Sequence, residues 1–477
     1  MQIQFAQVPG SIRTPGKYLE LNNSLANRNL PTNRQTLLLC GQVLAGVVPP
    51  NGLNVAVPIF DTATADAYFG AGSMLARMVA AAIAANPYAP ITCLPVADPA
   101  AGIKASASIA AASGTVPSLA GTVYFYIAGK AYQVAVTAGE TVASFLQSLL
   151  TAINADGHCP LTAAYDNGTN TLILTAKNAG LEGNQIALSY DPGNTGLAIT
   201  IPAMANGSGV PDLTQALANV YAVSYSMYVS GWTDSATLGA MKTQVTAAGS
   251  AIECRAQKVM AGFRGTISDS IALAKTLNSE RCSIAGYWGS PSTPSDLAAA
   301  YAAVRASEED PAMPLDTLPL AGIAPPPAAS RYTRTELESL LYGGITPIIV
   351  GADGQTAQIV RAITTYTTNS QSVADPSWLD LTTIDTMDYV RDTIRADWVQ
   401  AFGRAKLDGP TIAKVWSRTY MRLLQLQDAE ILQNVEAHKS GLQVAPNATD
   451  PNRLDVGIPA DIVPGLHVLA GVIYLIL

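Results

Sequence analysis

A serine beside two glycines, in the stretch YFGAGSMLARMV, is the first place where this sequence could do chemistry. Ser73 follows Gly70 and Gly72 and precedes a run with helical spacing. A glycine-rich turn that opens a helix can cradle a phosphate, and a strained turn can expose a nucleophilic serine. A GxSxG elbow needs glycine at two positions that hold Ala71 and Leu75, and a dinucleotide fingerprint lacks its third glycine. We therefore interpret Ser73 as the N-cap of a core helix, with a phosphate cradle as the alternative.

Histidine chemistry is restricted to three positions, His158, His438 and His467, and no HxxxH or HExxH spacing occurs. A triad in the order aspartate, histidine, serine finds only Ser440 after His438, and His158 would have to act from an inserted domain. His158 adjoins Cys159, but two adjacent ligands without a second cluster are a weak metal signal, so a loop position is the simpler interpretation. We expect no catalytic residues, no metal, no cofactor and no enzyme activity.

Composition and charge argue against a nucleic-acid-binding, secreted or membrane protein. The chain has 477 residues, only 13% of them charged, and a net charge of -8, so no overall basic field exists to attract nucleic acid. The first ten residues lack the pattern of a secretory signal, and the longest apolar run, Leu466–Leu477, is too short for a membrane helix. Five scattered cysteines indicate buried free thiols. We expect two to four domains, no membrane partner, and synthesis in the cytoplasm.

The chemistry-bearing residues would be positioned by an alternation of strands and helices. TLLLCGQV from Thr36, ITCLPV from Ile91 and a segment from Lys258 to Phe263 are typical of buried strands, and the alternation after Pro211 predicts a mostly parallel sheet with helices on its faces. The predicted organisation is an extended N-terminal arm (1–30), a first part of an α/β core (31–100), an inserted β-rich α+β domain (101–210), the second part of the core (211–370), a C-terminal domain with two helices (371–460) and an arm strand (461–477).

The insertion is clearest between residues 121 and 190. Two hairpins are predicted, at Gly129-Lys130 and at Asn167-Gly168. A capping box from Thr137 to Glu140 is predicted to open a helix with one apolar stripe.

Two helices and a strand are predicted near the end of the chain, beyond a proline-rich surface loop at 311–327. In the first helix, 387–402, apolar residues share one face. Asp388 and Arg395 belong to a second, charged face. The second is predicted from about Thr411 to Ser440, with Gly441 as its C-cap. The final LHVLAGVIYLIL is apolar on both alternating faces, so this strand needs cover on both sides.

Several stretches together resemble the tail sheath proteins of contractile bacteriophages, in the form found in Mu-like phages. They begin with VPGSIRTPGKYLELNNSLANRNLPTNRQTLLLCGQ and FGAGSMLARMVAAAIAANPY. YTRTELESLLYGGITP, ITTYTTNSQSVADPSWLDLTTIDTMDYVRDTIR and DPNRLDVGIPADIV follow in the same order. No stretch is a chemical motif, and the specificity lies in their collinear spread from residue 8 to the C-terminus.

The resemblance implies an α/β core of subtilisin-like topology without protease function, and subunits joined by exchanged N- and C-terminal arms. It implies hexameric rings stacked into a helical sheath around a tail tube, with baseplate and tail terminator proteins as further partners. Assembly would take place in the host cytoplasm, and the protein would end in the virion tail. Contraction would drive the tube through the host envelope.

The arms suggest a mechanism, because an extended peptide can add to the open sheet edge of a neighbour. Along the terminal strand alternate side chains face one way. The predicted arm contacts are Val8, Ile12, Tyr18, Val468, Ala470, Val472, Tyr474 and Ile476. The hypothetical tube contacts are Arg391, Arg395, Arg404 and Lys406, with a self-compensated helix surface as the alternative for these basic residues.

Three other functions stay open from the sequence. A sheath of a bacterial contractile injection system or of a defective prophage tail belongs to the same mechanical class. A subtilisin-like hydrolase would need a core histidine, and a secreted β-rich adhesin would need a signal and a stable monomer.

Overall fold

A computed structural model describes residues 30–476 of the chain. The strands are β1 (Leu37–Gln42), β2 (Val57–Ile59), β3 (Ile91–Val96), β4 (Ser106–Ala110), β5 (Gly121–Ile127), β6 (Lys130–Val136), β7 (Leu161–Asp166), β8 (Thr171–Ala176), β9 (Leu188–Asp191), β10 (Met227–Ser230), β11 (Lys258–Phe263), β12 (Cys282–Gly286), β13 (Thr346–Val350), β14 (Ala357–Ile359), β15 (Gln443–Pro446) and β16 (Leu454–Gly457). The helices are α1 (Thr62–Phe69), α2 (Met74–Ala85), α3 (Val142–Ala155), α4 (Thr214–Val220), α5 (Ser235–Ala248), α6 (Ile267–Leu277), α7 (Pro294–Ser307), α8 (Arg334–Tyr342), α9 (Leu381–Phe402) and α10 (Gly409–Asp428).

An eight-stranded sheet forms the centre of the molecule, in the order β14-β13-β12-β11-β10-β1-β3-β2. The six strands from β13 to β3 run parallel, and the short strands β14 and β2 close the two edges antiparallel. All six residues of β1 and all five of β12 are buried, which is typical of parallel strands covered on both faces. The mixed α/β class predicted from the alternating segments is confirmed.

The inserted region has a hydrophobic core of its own. Its two three-stranded sheets have the orders β4-β8-β7 and β6-β5-β9, and α3 packs against them. This core includes residues on either side of 121–190, from Ala105 in the N-terminal direction to Met204 in the C-terminal direction. Both predicted hairpins form.

The helix of the insertion begins later than its predicted capping box. Thr141 is the N-cap of α3, and its side chain accepts from the amide of Ser144. Glu140 instead accepts from the amide of Thr137 and from the Ser144 hydroxyl. The capping-box interpretation is therefore wrong by one turn, because Thr141 itself is a good N-cap residue.

The second C-terminal helix is shorter than predicted, since α10 ends at Asp428 and only a single 3-10 turn occurs near Gly441. The backbone turns sharply at Glu430 and Asn434, which have φ values of 58° and 54°. These turns bury Ile431 and Leu432 in the small core between α9 and α10. Tertiary burial therefore overrides the helical pattern of the sequence.

Buried charges join α9 to the central sheet. Asp385 lies beneath β11 and α7, where the Nε atom of Arg305 donates to its Oδ2 at 2.6 Å and Lys258 pairs with its other oxygen. Burial lowers the pKa of Lys258 well below its ordinary value, with repulsion from Arg305 adding to the effect. One turn later Arg281 holds Asp388 through two hydrogen bonds of 2.9 and 3.0 Å. The sequence interpretation that placed Asp388 on an exposed charged face is therefore wrong.

Candidate assembly interface

The glycine-rich turn before α2 is a contact between the core and the insertion. Ser73 is fully buried, and its hydroxyl accepts from the amide of Ala76 at 3.1 Å, which confirms its prediction as an N-cap. The next free amide, that of Met74, donates to the side chain of Asn178 in the insertion at 2.9 Å. The Lys177 ammonium group donates to the carbonyl oxygen of Ala71. The orphan groups that a phosphate would need are thus occupied by the chain itself.

Gly72 allows this close approach. Its φ is +79°, and a Cβ atom there would lie 2.4 Å from the carbonyl oxygen of Cys159. Only glycine therefore fits, on both conformational and steric grounds.

We expect Gly72→Ala to destabilise the protein by at least about 2 kcal/mol more than Gly139→Ala. Gly139 has a φ of +77°, but a Cβ atom added there would meet nothing within 4 Å, so it isolates the cost of the left-handed conformation. Urea unfolding of both variants measures the difference. Equal losses would show that the insertion does not pack tightly on this turn.

A second contact between insertion and core involves a half-buried carboxylate. Glu182 accepts from the amide and the hydroxyl of Thr233, at 2.7 and 2.9 Å, at the entrance to α5. Burial raises the pKa of Glu182 to about 7, although the hydrogen bonds from Thr233 oppose this shift. Asp234, which caps α5, raises the pKa further. We therefore expect this joint between insertion and core to weaken as pH rises from about 4.5 to about 7.

Glu182→Gln should increase the free energy of unfolding at pH 8 by about 1–3 kcal/mol and leave it nearly unchanged at pH 4.5. Between an ordinary pKa of 4.5 and a folded-state value of about 7, the folded protein binds a proton that the unfolded chain has released. Stability therefore falls as pH rises through this window, and the amide removes that loss. Denaturant unfolding at both pH values tests it, with the exposed Glu338→Gln as control. A gain that is equal at both pH values would contradict it.

The three histidines do not lie together. His158 is exposed and its Nε2 lies 2.8 Å from Asp66, whereas the adjacent Cys159 is buried, so the two do not face a common site. His438 lies near Asp461 in the C-terminal domain, and His467 lies against Asp316. Within residues 30–476, no group of three metal-ligating side chains is found, and no helix is long and apolar enough to cross a membrane.

The C-terminal tail is the most exposed apolar segment that the structure describes. Residues 464–476 form no helix or strand within the chain. Leu469 is 89% exposed and Ile473 is 99% exposed. All five predicted C-terminal arm contacts, Val468, Ala470, Val472, Tyr474 and Ile476, are exposed, whereas Val8, Ile12 and Tyr18 lie outside the described residues. The terminal strand predicted for this segment does not form against residues 30–463, because no element among them covers it.

A small sheet beside α10 has open edges. β15 and β16 form an antiparallel pair, with Val444 opposite Val456 and Pro446 opposite Leu454. Val444, Leu454 and Val456 are half-buried on one face, and the indole of Trp416 donates to the Leu442 carbonyl just before β15. No third strand joins this pair among residues 30–476. A two-stranded sheet is marginal alone, so this hairpin is suited to accept another strand.

The predicted basic residues differ in their surroundings. The guanidinium group of Arg391 donates to the Gly249 carbonyl at 2.9 Å and pairs with Asp388 at 3.0 Å, so it is engaged within the subunit. Arg395, Arg404 and Lys406 are exposed. Within residues 30–476 these three form no ion pair.

The stretch from the second half of α9 through most of α10 is basic, although the chain is acidic overall. Residues 391–425 contain seven Lys and Arg against three Asp. One of these, Asp397, is buried beneath Arg418 and Arg422, at 2.8 and 2.7 Å. Burial would raise the pKa of Asp397, but hydrogen bonds from both arginines hold it below its ordinary value. The exposed surface of residues 391–425 therefore has a net positive charge.

Known proteins share this arrangement. Residues 206–365 match the central domain of phage tail sheath proteins, and residues 373–476 match the phage tail sheath C-terminal domain. The Mu-like prophage FluMu tail sheath protein of Haemophilus influenzae is 31% identical over 495 residues, covering 100% of both chains. The chain belongs to the phage tail sheath protein family. It is a structural subunit of a contractile tail sheath, as the resemblance in its sequence implied.

Solved sheath structures share the fold. The sheath tail protein of Listeria innocua is 13% identical, with a TM-score of 0.51 over 92% of this chain and 94% of that chain. A chain of the anti-feeding prophage baseplate is 10% identical, with the same TM-score of 0.51, over 98% of this chain and 100% of that chain. At these identities the likeness concerns the fold of the sheath protein alone.

Proposed function

We propose that this sheath protein polymerises around a tail tube in stacked hexameric rings and contracts to drive the tube through a host envelope. The observation that carries the proposal is the apolar C-terminal tail, whose residues 468–476 are exposed to solvent. Such a tail would be an aggregation hazard in a monomer. A polymer in which every tail is covered by a neighbour removes that hazard.

The β15–β16 hairpin is the proposed acceptor for the arm of a neighbouring subunit. An added strand would gain main-chain hydrogen bonds along an open edge. One alternating face, which includes Val468, Val472 and Ile476, would extend the half-buried apolar face formed by Val444 and Val456. Subunits would then stay tethered while their bodies rotate.

Contraction requires two packings of the same subunits, and the extended packing would be held by the tube and baseplate until it is triggered. The energy would be stored during assembly, so the mechanism needs no nucleotide. We further propose that the α/β core has the subtilisin-like topology that the family resemblance implies, without protease function. Tail terminator proteins would close the far end of the sheath. A bacterial injection-device sheath is the second candidate, because the anti-feeding prophage chain shares the fold.

The tube is proposed to contact the basic surface of α9 and α10. Arg395, Arg404 and Lys406 are exposed there, whereas Arg391 is held by Asp388 and serves the subunit's own fold. Exposed charges of this kind set the rate and specificity of association more than its final affinity. The tube surface that fits is an acidic one.

Reversing two of these charges, with Arg395→Glu and Arg404→Glu, should weaken co-sedimentation with purified tail tubes by at least about tenfold at low salt. Arg334→Glu makes one such charge reversal on α8, where the side chain is 84% exposed, and should have no effect. If charge causes the loss, the difference between the variant and the unmodified protein should shrink at high salt. A misfolded variant would bind poorly at both salt concentrations. Unchanged binding of the double variant would remove α9 and α10 as the tube-facing elements.

A further inference from the structure

The C-terminal arm begins where the chain is attached to the subunit body at two residues, Val463 and His467. The amide of Val463 donates to the carbonyl oxygen of Ile431 at 3.2 Å, next to the bridge that joins Leu432 to Ile462. Within the described residues, 464–476 make no backbone hydrogen bond. Among the described residues, one polar side chain of the segment 464–476 contacts the rest of the subunit.

His467 is that side chain. It is 13% exposed, although Leu466 before it is 76% exposed and Val468 after it is 75% exposed. Its Nδ1 atom lies 2.7 Å from Oδ2 of Asp316, in the proline-rich loop. Its Nε2 atom lies 3.7 Å from Oδ1 of Asp380, at the entrance to α9.

The approach of the tail to the proline-rich loop is close. At Gly465 a Cβ atom would lie 2.6 Å from Cγ of Pro314, two residues before the carboxylate that His467 contacts. Glycine at 465 thus lets the chain pass near enough for the imidazole to reach Asp316.

The carboxylates around this imidazole are only partly balanced by a cation. Asp316 and Asp380 contribute two negative charges, and the guanidinium group of Arg361 balances one of them through two hydrogen bonds of 2.8 Å to Asp380. One negative charge remains, and Oδ1 of Asp316 is buried without a hydrogen-bond partner. Asp316, Asp380, Arg361 and His467 are named here the arm-root cluster.

We propose that His467 is a releasable latch that stores slack in the arm. The proposal rests on the proposed sheath function, in which the arm of one subunit is paired with its neighbour. When the latch opens, residues 464–467 can leave the body and lengthen the tether by up to roughly 13 Å. Subunit bodies can then shift relative to one another without unpairing the arm.

The latch is weaker than the pairing that it serves. The contact at the root is made by the single side chain of His467, whereas a paired arm is held by several main-chain hydrogen bonds and by buried apolar side chains. Under tension the contact of His467 therefore breaks first. His467 acts as a positioning residue, because it fixes where the free part of the arm begins.

The first test is limited chymotrypsin digestion of the full, unassembled chain, followed by intact mass measurement. In the unmodified protein we expect cleavage after Leu469, Tyr474 and Leu475, which lie beyond His467, with Leu466 protected. His467→Ala and Asp316→Asn should each increase cleavage after Leu466 by at least about fivefold, and the double variant should cleave no faster than either single one. His158→Ala is the control. Unchanged protection in His467→Ala, or additive effects, would overturn the latch.

The second test closes the latch with a metal. Asp316→His places a second imidazole beside His467, so that added Zn²⁺ can bridge the two. Tails built with this variant should fail to contract with Zn²⁺ and recover with a chelator, whereas unmodified tails contract in both conditions. Normal contraction of the variant with Zn²⁺ would show that His467 need not be released during contraction, and would overturn the proposal. Absence of sheaths from the unmodified chain would instead contradict the proposed function.

Discussion

A chain that ends at His467 should no longer polymerise, although it should fold as well as the full chain. The removed segment is exposed and makes no backbone hydrogen bond with residues 30–467, so its loss leaves the core and the side chains of the arm-root cluster in place. Burial of one Val, Leu or Ile side chain is worth about 1.5–3 kcal/mol, so two or three of them buried against a neighbour contribute roughly 5 kcal/mol. Their loss would weaken subunit association by more than three orders of magnitude.

Negative-stain electron microscopy and sedimentation velocity measure this effect. The full chain should form tubes or stacked rings where the truncated chain sediments as a monomer with an unchanged urea midpoint. A matched variant keeps the backbone and changes Val468, Val472 and Ile476 to serine. Tubes from the truncated chain would exclude strand exchange through this arm and reopen the adhesin and hydrolase alternatives. Tubes from the serine variant alone would show that main-chain pairing is sufficient.

Local sequence patterns were enough to predict much of the core. β11 was predicted at its observed bounds, because short apolar runs bounded by turn residues leave little choice for a strand. The helix after Ser73 was also predicted with its correct cap, because an N-cap depends only on residues within one turn.

Features that depend on residues far apart in the sequence were not predictable from it. Asp388 shares a helix face with Arg391 and Asp392, and only the fold shows that Arg281, 107 residues away, holds it in the interior. The glycine-rich turn shows the same limit, because its partners Asn178 and Lys177 come from the insertion. The exposed tail was predicted as a strand, and none of the described residues of the subunit pairs with it.

The largest loss of stability is expected for Asp385→Asn, at about 3–5 kcal/mol. Asp385 is 4% exposed and pairs with Arg305, which is fully buried, and with Lys258. Burial lowers the pKa of Arg305 to about 10, which still leaves it charged at neutral pH. Without the carboxylate, this buried cation loses the only acidic side chain that hydrogen-bonds to it among the described residues, and Nη2 of Arg305 already lacks a hydrogen-bond partner.

Two further variants separate the charge effect from a general cost of mutating this region. Lys258→Met should change stability by less than about 1 kcal/mol or increase it, because burial already disfavours the charged ammonium group and Arg305 still pairs with Asp385. Asp392→Asn, on the same helix with a half-exposed side chain, should cost less than about 0.5 kcal/mol. Urea unfolding at neutral pH gives all three values. If Asp385→Asn and Lys258→Met were equally destabilising, the packing of α9 on the sheet, and not its buried carboxylate, would hold the C-terminal domain to the core.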